Sequence, residues 1–184
     1  TACAQLAAWG ANPQTSTLTM AVNVSARQFR HPDFVSQVRA ALKSTGANPR
    51  LLKLEITESL LVTDMDEAIE TMQALRAEHL SFSLDDFGTG YSSLTYLKRM
   101  PLEQLKIDKS FVRDVLTDPN DAAIAQTVLA LGRTLGLRVV AEGVESAGQW
   151  DFLLSHGCPL FQGYLFGKPV PVGQLKLGCL IPLV

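Results

Sequence analysis

The chain has 184 residues, 47% of them hydrophobic, with a formal net charge of −2. That is enough to bury a sizeable core, and too balanced a charge to favour broad binding to a nucleic-acid backbone. Its three cysteines, Cys3, Cys158 and Cys179, are far apart and lack C-x-x-C spacing, which argues against a disulfide framework or a thiolate zinc site and for a reducing compartment.

In chain order, the first element is TACAQLAAWG at the start, which has neither the basic start nor the long apolar stretch of a signal peptide. Short β-rich runs then follow at 18–25 (LTMAVNVS), 51–59 (LLKLEITES), 80–88 (LSFSLDDFG), 103–111 (EQLKIDKSF), 137–145 (LRVVAEGVE) and 159–167 (PLFQGYLFG). Between them, apolar residues recur at three and four: Phe34, Val38 and Leu42; Ile69, Met72 and Leu75; Ile124, Val128, Leu131 and Leu135; Trp150, Leu153 and Leu154. Helix starts are expected after Asp33, Thr63-Asp64, Asn120-Asp121 and Ser146, and helix ends before Gly46, Gly136 and Gly157. No apolar run nears the roughly 20 residues of a membrane span. The expectation is a soluble, cytoplasmic domain without membrane contact of its own, which a membrane-anchored parent protein could also supply.

Strand–helix alternation at about 30 residues per unit is the pattern of βαβ connections and a parallel sheet. An open doubly wound sheet and a closed (β/α) barrel compete. The sequence lacks G-x-G-x-x-G, and GTGYSS follows Asp-Asp-Phe rather than opening a helix directly after an apolar strand, which weakens the dinucleotide reading.

Polar residues recur near the carboxyl end of strand after strand: Asn23; Glu55 and Glu58; Asp85 and Asp86; Lys106 and Asp108; Glu142 and Glu145; Gln162. One such residue would be an ordinary exposed strand end, but six strands repeating it point to a shared site of the kind barrel enzymes build. Carboxylates converging on a dry site need compensating cations. Hard oxygen ligands suit Mg²⁺, Mn²⁺ or Ca²⁺ better than zinc, and His31, His79 and His156 fall at helix ends or in loops, where solvated roles are expected. A metal pair holding a phosphodiester, a nearby carboxylate taking a proton from water, and Lys106 steadying the water or the developing charge define phosphodiester hydrolysis as the natural class. Another metal-dependent barrel, such as an enolase-type enzyme, would also place acids at strand ends.

The segments NVSARQF, LEITES, DDFGTGYSSLTYL, LKIDKSFV, VVAEGVES and FQGYLFGKP resemble, in order and spacing, the successive motifs of the EAL-domain family, whose active members hydrolyse cyclic di-GMP to linear pGpG. The resemblance implies a TIM-type (β/α) barrel and a two-metal site loaded with Mg²⁺ or Mn²⁺. It implies metal coordination by Asn23, Glu55 and Asp85, with Asp86 serving the second metal. Lys106 becomes the partner of the catalytic water, Glu142 the general base, and Gln162 a polar group near the substrate or metal shell. Glu58 is similar to the family glutamate that anchors the loop after DDFG, and that loop, 88–93, is implicated in dimer contacts in the family. Asp108 and Glu145 are equally open to supporting and to plain structural roles.

The chain departs from the family pattern in containing no Glu-Ala-Leu, whose glutamate is a metal ligand in the family. TACAQLAAWG resembles the helix that follows the missing motif strand. Six strands are expected where a barrel has eight, so residues 1–184 read as a single truncated domain of this type, with open edges and an uncovered apolar interior. The expectation is closure by a second copy of the chain, or by an N-terminal segment. The apolar tail QLKLGCLIPLV is a further candidate for covering that interior.

Overall fold

The computed structural model describes residues 1–58, 60, 65–88 and 94–175. The chain divides into two compact units, Thr1–Leu105 and Lys106–Val184. In chain order the helices and strands are α1 (Ala2–Gly10), β1 (Met20–Asn23), α2 (Ala26–Phe29), α3 (Phe34–Thr45), β2 (Leu52–Thr57), α4 (Met65–Ala77), β3 (Ser81–Phe87), α5 (Leu94–Arg99), β4 (Gln104–Ile107), α6 (Lys109–Arg113), α7 (Pro119–Leu135), β5 (Arg138–Glu142), α8 (Ala147–Ser155) and β6 (Leu160–Gln162). The sheet order follows the chain, β1-β2-β3-β4-β5-β6, as a (β/α) barrel requires and a doubly wound sheet, whose order reverses at a switch point, does not. The fold is an α/β barrel type with six strands among the described residues. The helix-start expectation at Thr63-Asp64, the loop residues 89–93, Cys179 and nearly all of the apolar tail lie outside the described residues.

In the first unit, β1 pairs parallel with β2, and β2 with β3. Leu54 registers with Phe82 and Ile56 with Leu84, and all four are at most 4% exposed. Alternation along a strand sends these residues to one face. Helix α4 buries Ala68, Ile69, Met72 and Leu75, as its period predicts. Phe29, on the short α2, lies 5.4 Å from the Phe34 ring and meets Phe82 edge-on at 6.5 Å, so α2 contributes a core anchor despite its four residues. A capping box closes that helix: Ser25 accepts from the Gln28 N–H, and Gln28 returns a bond to the Ser25 backbone.

In the second unit, β5 pairs parallel with β6. Helix α7 buries Ala125, Val128, Leu129 and Gly132 rather than the expected stripe of Ile124, Val128, Leu131 and Leu135. The cause is a close approach: a Cβ placed on Gly132 would lie 2.2 Å from Cγ2 of Val139, so the line of contact runs through Gly132, with Val128 and Leu129 buried on the same side. The helix starts at Pro119, with Asp118 as the cap accepting from the Asn120 N–H, three residues earlier than a start after Asn120-Asp121 implies. In α8 Leu153 is fully buried while Leu154 is 41% exposed, and Ser146 forms a second capping box with Gln149. The run 103–111 divides at Asp108 and the run 159–167 yields a strand of three residues. Asp33 precedes α3 but makes no side-chain cap bond.

Candidate functional site

In the first unit, the side of β2 and β3 opposite the Leu54–Phe82 layer carries Lys53, Glu55, Ser81, Ser83 and Asp85. Register pairs Lys53 with Ser81, Glu55 with Ser83 and Thr57 with Asp85. Asn23, the last residue of β1, registers with Glu55, and the Val24 N–H donates to the Glu55 carbonyl at 2.9 Å. Neighbouring strands stand about 4.8 Å apart, so the amide of Asn23 and the carboxylate of Glu55 share one face at one level. Glu55 is 9% and Glu58 5% exposed. Arg30 donates from Nη2 to the Leu60 carbonyl at 2.9 Å.

Adjacent strand residues normally point to opposite faces, so an Asp-Asp pair in β3 would divide its charges. Asp86 prevents this by adopting φ 55°, a left-handed conformation that aspartate tolerates better than most residues. Its N–H donates to Asp85 Oδ1 at 3.0 Å, and both side chains are half-buried. Asp85 and Asp86 thus stand at the irregular carboxyl end of β3, the strand-end position their spacing predicts. Asn23, Glu55, Asp85 and Asp86 form a donor set of one amide and three carboxylates, the hard oxygen chemistry that fits Mg²⁺, Mn²⁺ or Ca²⁺. The three histidines stand apart: His79 sits in the turn between α4 and β3 at φ 70°, His31 lies between α2 and α3, and the His156 ring binds the Phe152 carbonyl at 2.7 Å.

In the second unit, Lys106 Nζ lies 2.5 Å from Glu142 Oε1, the side chains being 3% and 16% exposed. A lysine so deeply buried keeps its charge through such a partner. Glu142 ends β5 and registers with Gln162, which ends β6 and is exposed. Asp108 caps α6, accepting from the N–H and hydroxyl of Ser110, which gives it a structural role. Glu145 is exposed, and its backbone N–H donates to Gln149 Oε1.

Two interior residues escaped sequence reading. Lys53, 8% exposed, donates to Gln104 Oε1 at 2.6 Å and lies 4.0 Å from Glu103. Ser83 is fully buried. The only sequence signal for either is a polar residue alternating with leucine inside an otherwise apolar strand.

Comparison with known proteins assigns this arrangement to a family. Residues 1–169 match the EAL domain. The chain belongs to the EAL domain family. It is 46% identical over 174 residues to the bifunctional diguanylate cyclase/cyclic di-GMP phosphodiesterase MucR of Pseudomonas aeruginosa, covering 95% of this chain and 25% of that protein. The chain thus spans about a quarter of that relative's length. Among solved structures it is similar to the PaMucR phosphodiesterase in complex with c-di-GMP, with a TM-score of 0.92 and 46% identity, over 95% of this chain and 70% of that one. It is also similar to a manganese/cy-diGMP complex of Klebsiella pneumoniae BlrP1, with a TM-score of 0.79 and 34% identity, over 90% of this chain and 43% of that one. The family match runs through both compact units. No described helix is long and apolar enough to cross a membrane.

Proposed function

We propose that this EAL domain hydrolyses cyclic di-GMP to linear pGpG, with residues 1–184 acting as one domain in the cytoplasm. The observation that carries the reading is the buried Lys106–Glu142 pair in a chain that also ends β1 to β3 with an oxygen donor set, within a family whose relatives are cyclic di-GMP phosphodiesterases. Asn23, Glu55, Asp85 and Asp86 would hold divalent cations, Mg²⁺ or Mn²⁺, which when bound supply charge to the phosphodiester and acidify water.

The chain's own residues do the rest. Glu142 accepts a proton from the attacking water as its oxygen bonds to phosphorus. The bond from phosphorus to the 3′ oxygen breaks, and that oxygen takes a proton from solvent to become a free hydroxyl while Glu142 releases its own, giving a 5′-phosphorylated linear dinucleotide. Lys106, held against Glu142, orients the carboxylate and stabilises negative charge gathering on the phosphoryl oxygens. Gln162, registered beside Glu142, contacts substrate, and Glu58 supports the carboxyl end of β2. Partners are cyclic di-GMP and a second copy of the chain, without DNA or RNA polymer.

Hydrolysis of cyclic di-GMP with Mn²⁺, followed by chromatography for pGpG, tests the reading. Glu142→Gln should lower kcat by about 10²–10⁴-fold, the usual worth of a general base; full turnover in that variant refutes the assignment. A second reading is cyclic di-GMP binding without turnover, which saturable binding with no product would support.

A further inference from the structure

Among the described residues, Ser83 carries a fully buried side-chain oxygen with no hydrogen-bond partner. The other buried polar groups behave differently. Lys53 donates to Gln104, Thr15 to the Trp9 carbonyl at 2.8 Å, and Gln149 to the Arg113 carbonyl at 3.1 Å. An unpaired buried hydroxyl is costly, and an alanine in its place would pack the same space without that cost.

The neighbours of Ser83 show where its hydrogen bond goes. It registers with Glu55 on the adjacent parallel strand, so both side chains leave the sheet on the same face from backbones about 4.8 Å apart. The Ser83 hydroxyl is a donor that rotates freely, and an ionised carboxylate offers about four acceptor positions, of which a cation occupies one side.

We propose that Ser83 is a positioning residue for a metal ligand: when Glu55 turns a carboxylate oxygen to a divalent cation, the Ser83 hydroxyl donates to its other oxygen and fixes that rotamer. The inference rests on the reading of Glu55 as a ligand. Partners of this kind orient ligating carboxylates, and losing one weakens metal affinity by about 10–100-fold. Serine rather than alanine at a site closed to solvent is thereby explained, since the cost of the hydroxyl in the metal-free chain is recovered on loading.

Mn²⁺ titration by calorimetry, with urea unfolding of the metal-free chain, tests the proposal on four proteins: wild type, Ser83→Ala, Ser83→Cys and Glu55→Gln. Ser83→Ala should bind Mn²⁺ at least about tenfold more weakly while its metal-free form unfolds at the same or higher urea. Ser83→Cys, which keeps the size and a weak donor, should fall between wild type and alanine. A Ser83→Ala affinity within twofold of wild type, with Glu55→Gln impaired, overturns the role of Ser83 alone. Unimpaired binding by Glu55→Gln, or no Mn²⁺ uptake by wild type, overturns the ligand reading and the inference with it. Loss of urea resistance in both Ser83 variants with unchanged affinity would show a packing role and also overturn the proposal.

Discussion

Replacing Gly163 with alanine puts the carboxyl end of β6 to a direct test. A Cβ built on Gly163 would lie 2.2 Å from the Val144 carbonyl oxygen, 2.3 Å from its nitrogen and 2.7 Å from its carbonyl carbon, where ordinary contact begins at 3.4 Å. The backbones must separate by more than 1 Å, and neither can rotate away as a side chain would. Two hydrogen bonds hold them: the Val144 N–H donates to the Gln162 carbonyl at 3.1 Å, and the Leu165 N–H to the Val144 carbonyl at 3.0 Å. Overpacking costs about 1–3 kcal/mol, and losing one or both bonds adds about 1 kcal/mol each. A loss of about 3–4 kcal/mol is expected, a large part of the 5–15 kcal/mol typical of a domain. Urea unfolding at constant m-value measures it. Gly173→Ala, where a Cβ would meet nothing within 4 Å, is the control and should change stability by less than about 0.5 kcal/mol. A Gly163→Ala loss below about 1 kcal/mol would refute the close approach. Because Gln162 registers with Glu142, the same displacement should also lower turnover.

Two further outcomes follow from the geometry. Asp86, at φ 55°, should tolerate asparagine with little change in stability yet bind Mn²⁺ more weakly, whereas Asp86→Val should cost about 1–2 kcal/mol for a side chain ill suited to the left-handed region; a valine variant as stable as wild type in thermal unfolding would contradict the strand-end conformation. Burial pushes the Cys158 thiol above its ordinary value of 9.0, so the unfolded chain ionises first and stability should fall as pH rises past about 9, a slope that Cys158→Ala flattens; rapid alkylation of Cys158 in native protein, read by peptide mapping, would show the thiol to be exposed instead.

The sequence by itself determined the alternation of strands and helices and the residues that end each strand, because both are local patterns. Apolar spacing distinguishes a strand from a helix, as in α4, where Ile69, Met72 and Leu75 are buried as their period requires. Polar residues that break the same point of successive strands mark strand ends without any knowledge of contacts, as Asn23, Asp85, Glu142 and Gln162 do. Tertiary structure decided what depends on distance across the fold. The buried stripe of α7 shifted because Gly132 must clear Val139, and Leu154 stayed exposed while Leu153 filled the core. Asp108 became a helix cap once α6 began beside it. Lys53 found Gln104 51 residues away. No spacing rule reports a backbone torsion either: pattern alone places Asp85 and Asp86 together at the carboxyl end of a strand, but only φ 55° at Asp86 shows how the backbone turns there to bring the Asp86 N–H onto the Asp85 carboxylate. Periodicity records which face a residue prefers; only packing fixes which partner meets it there.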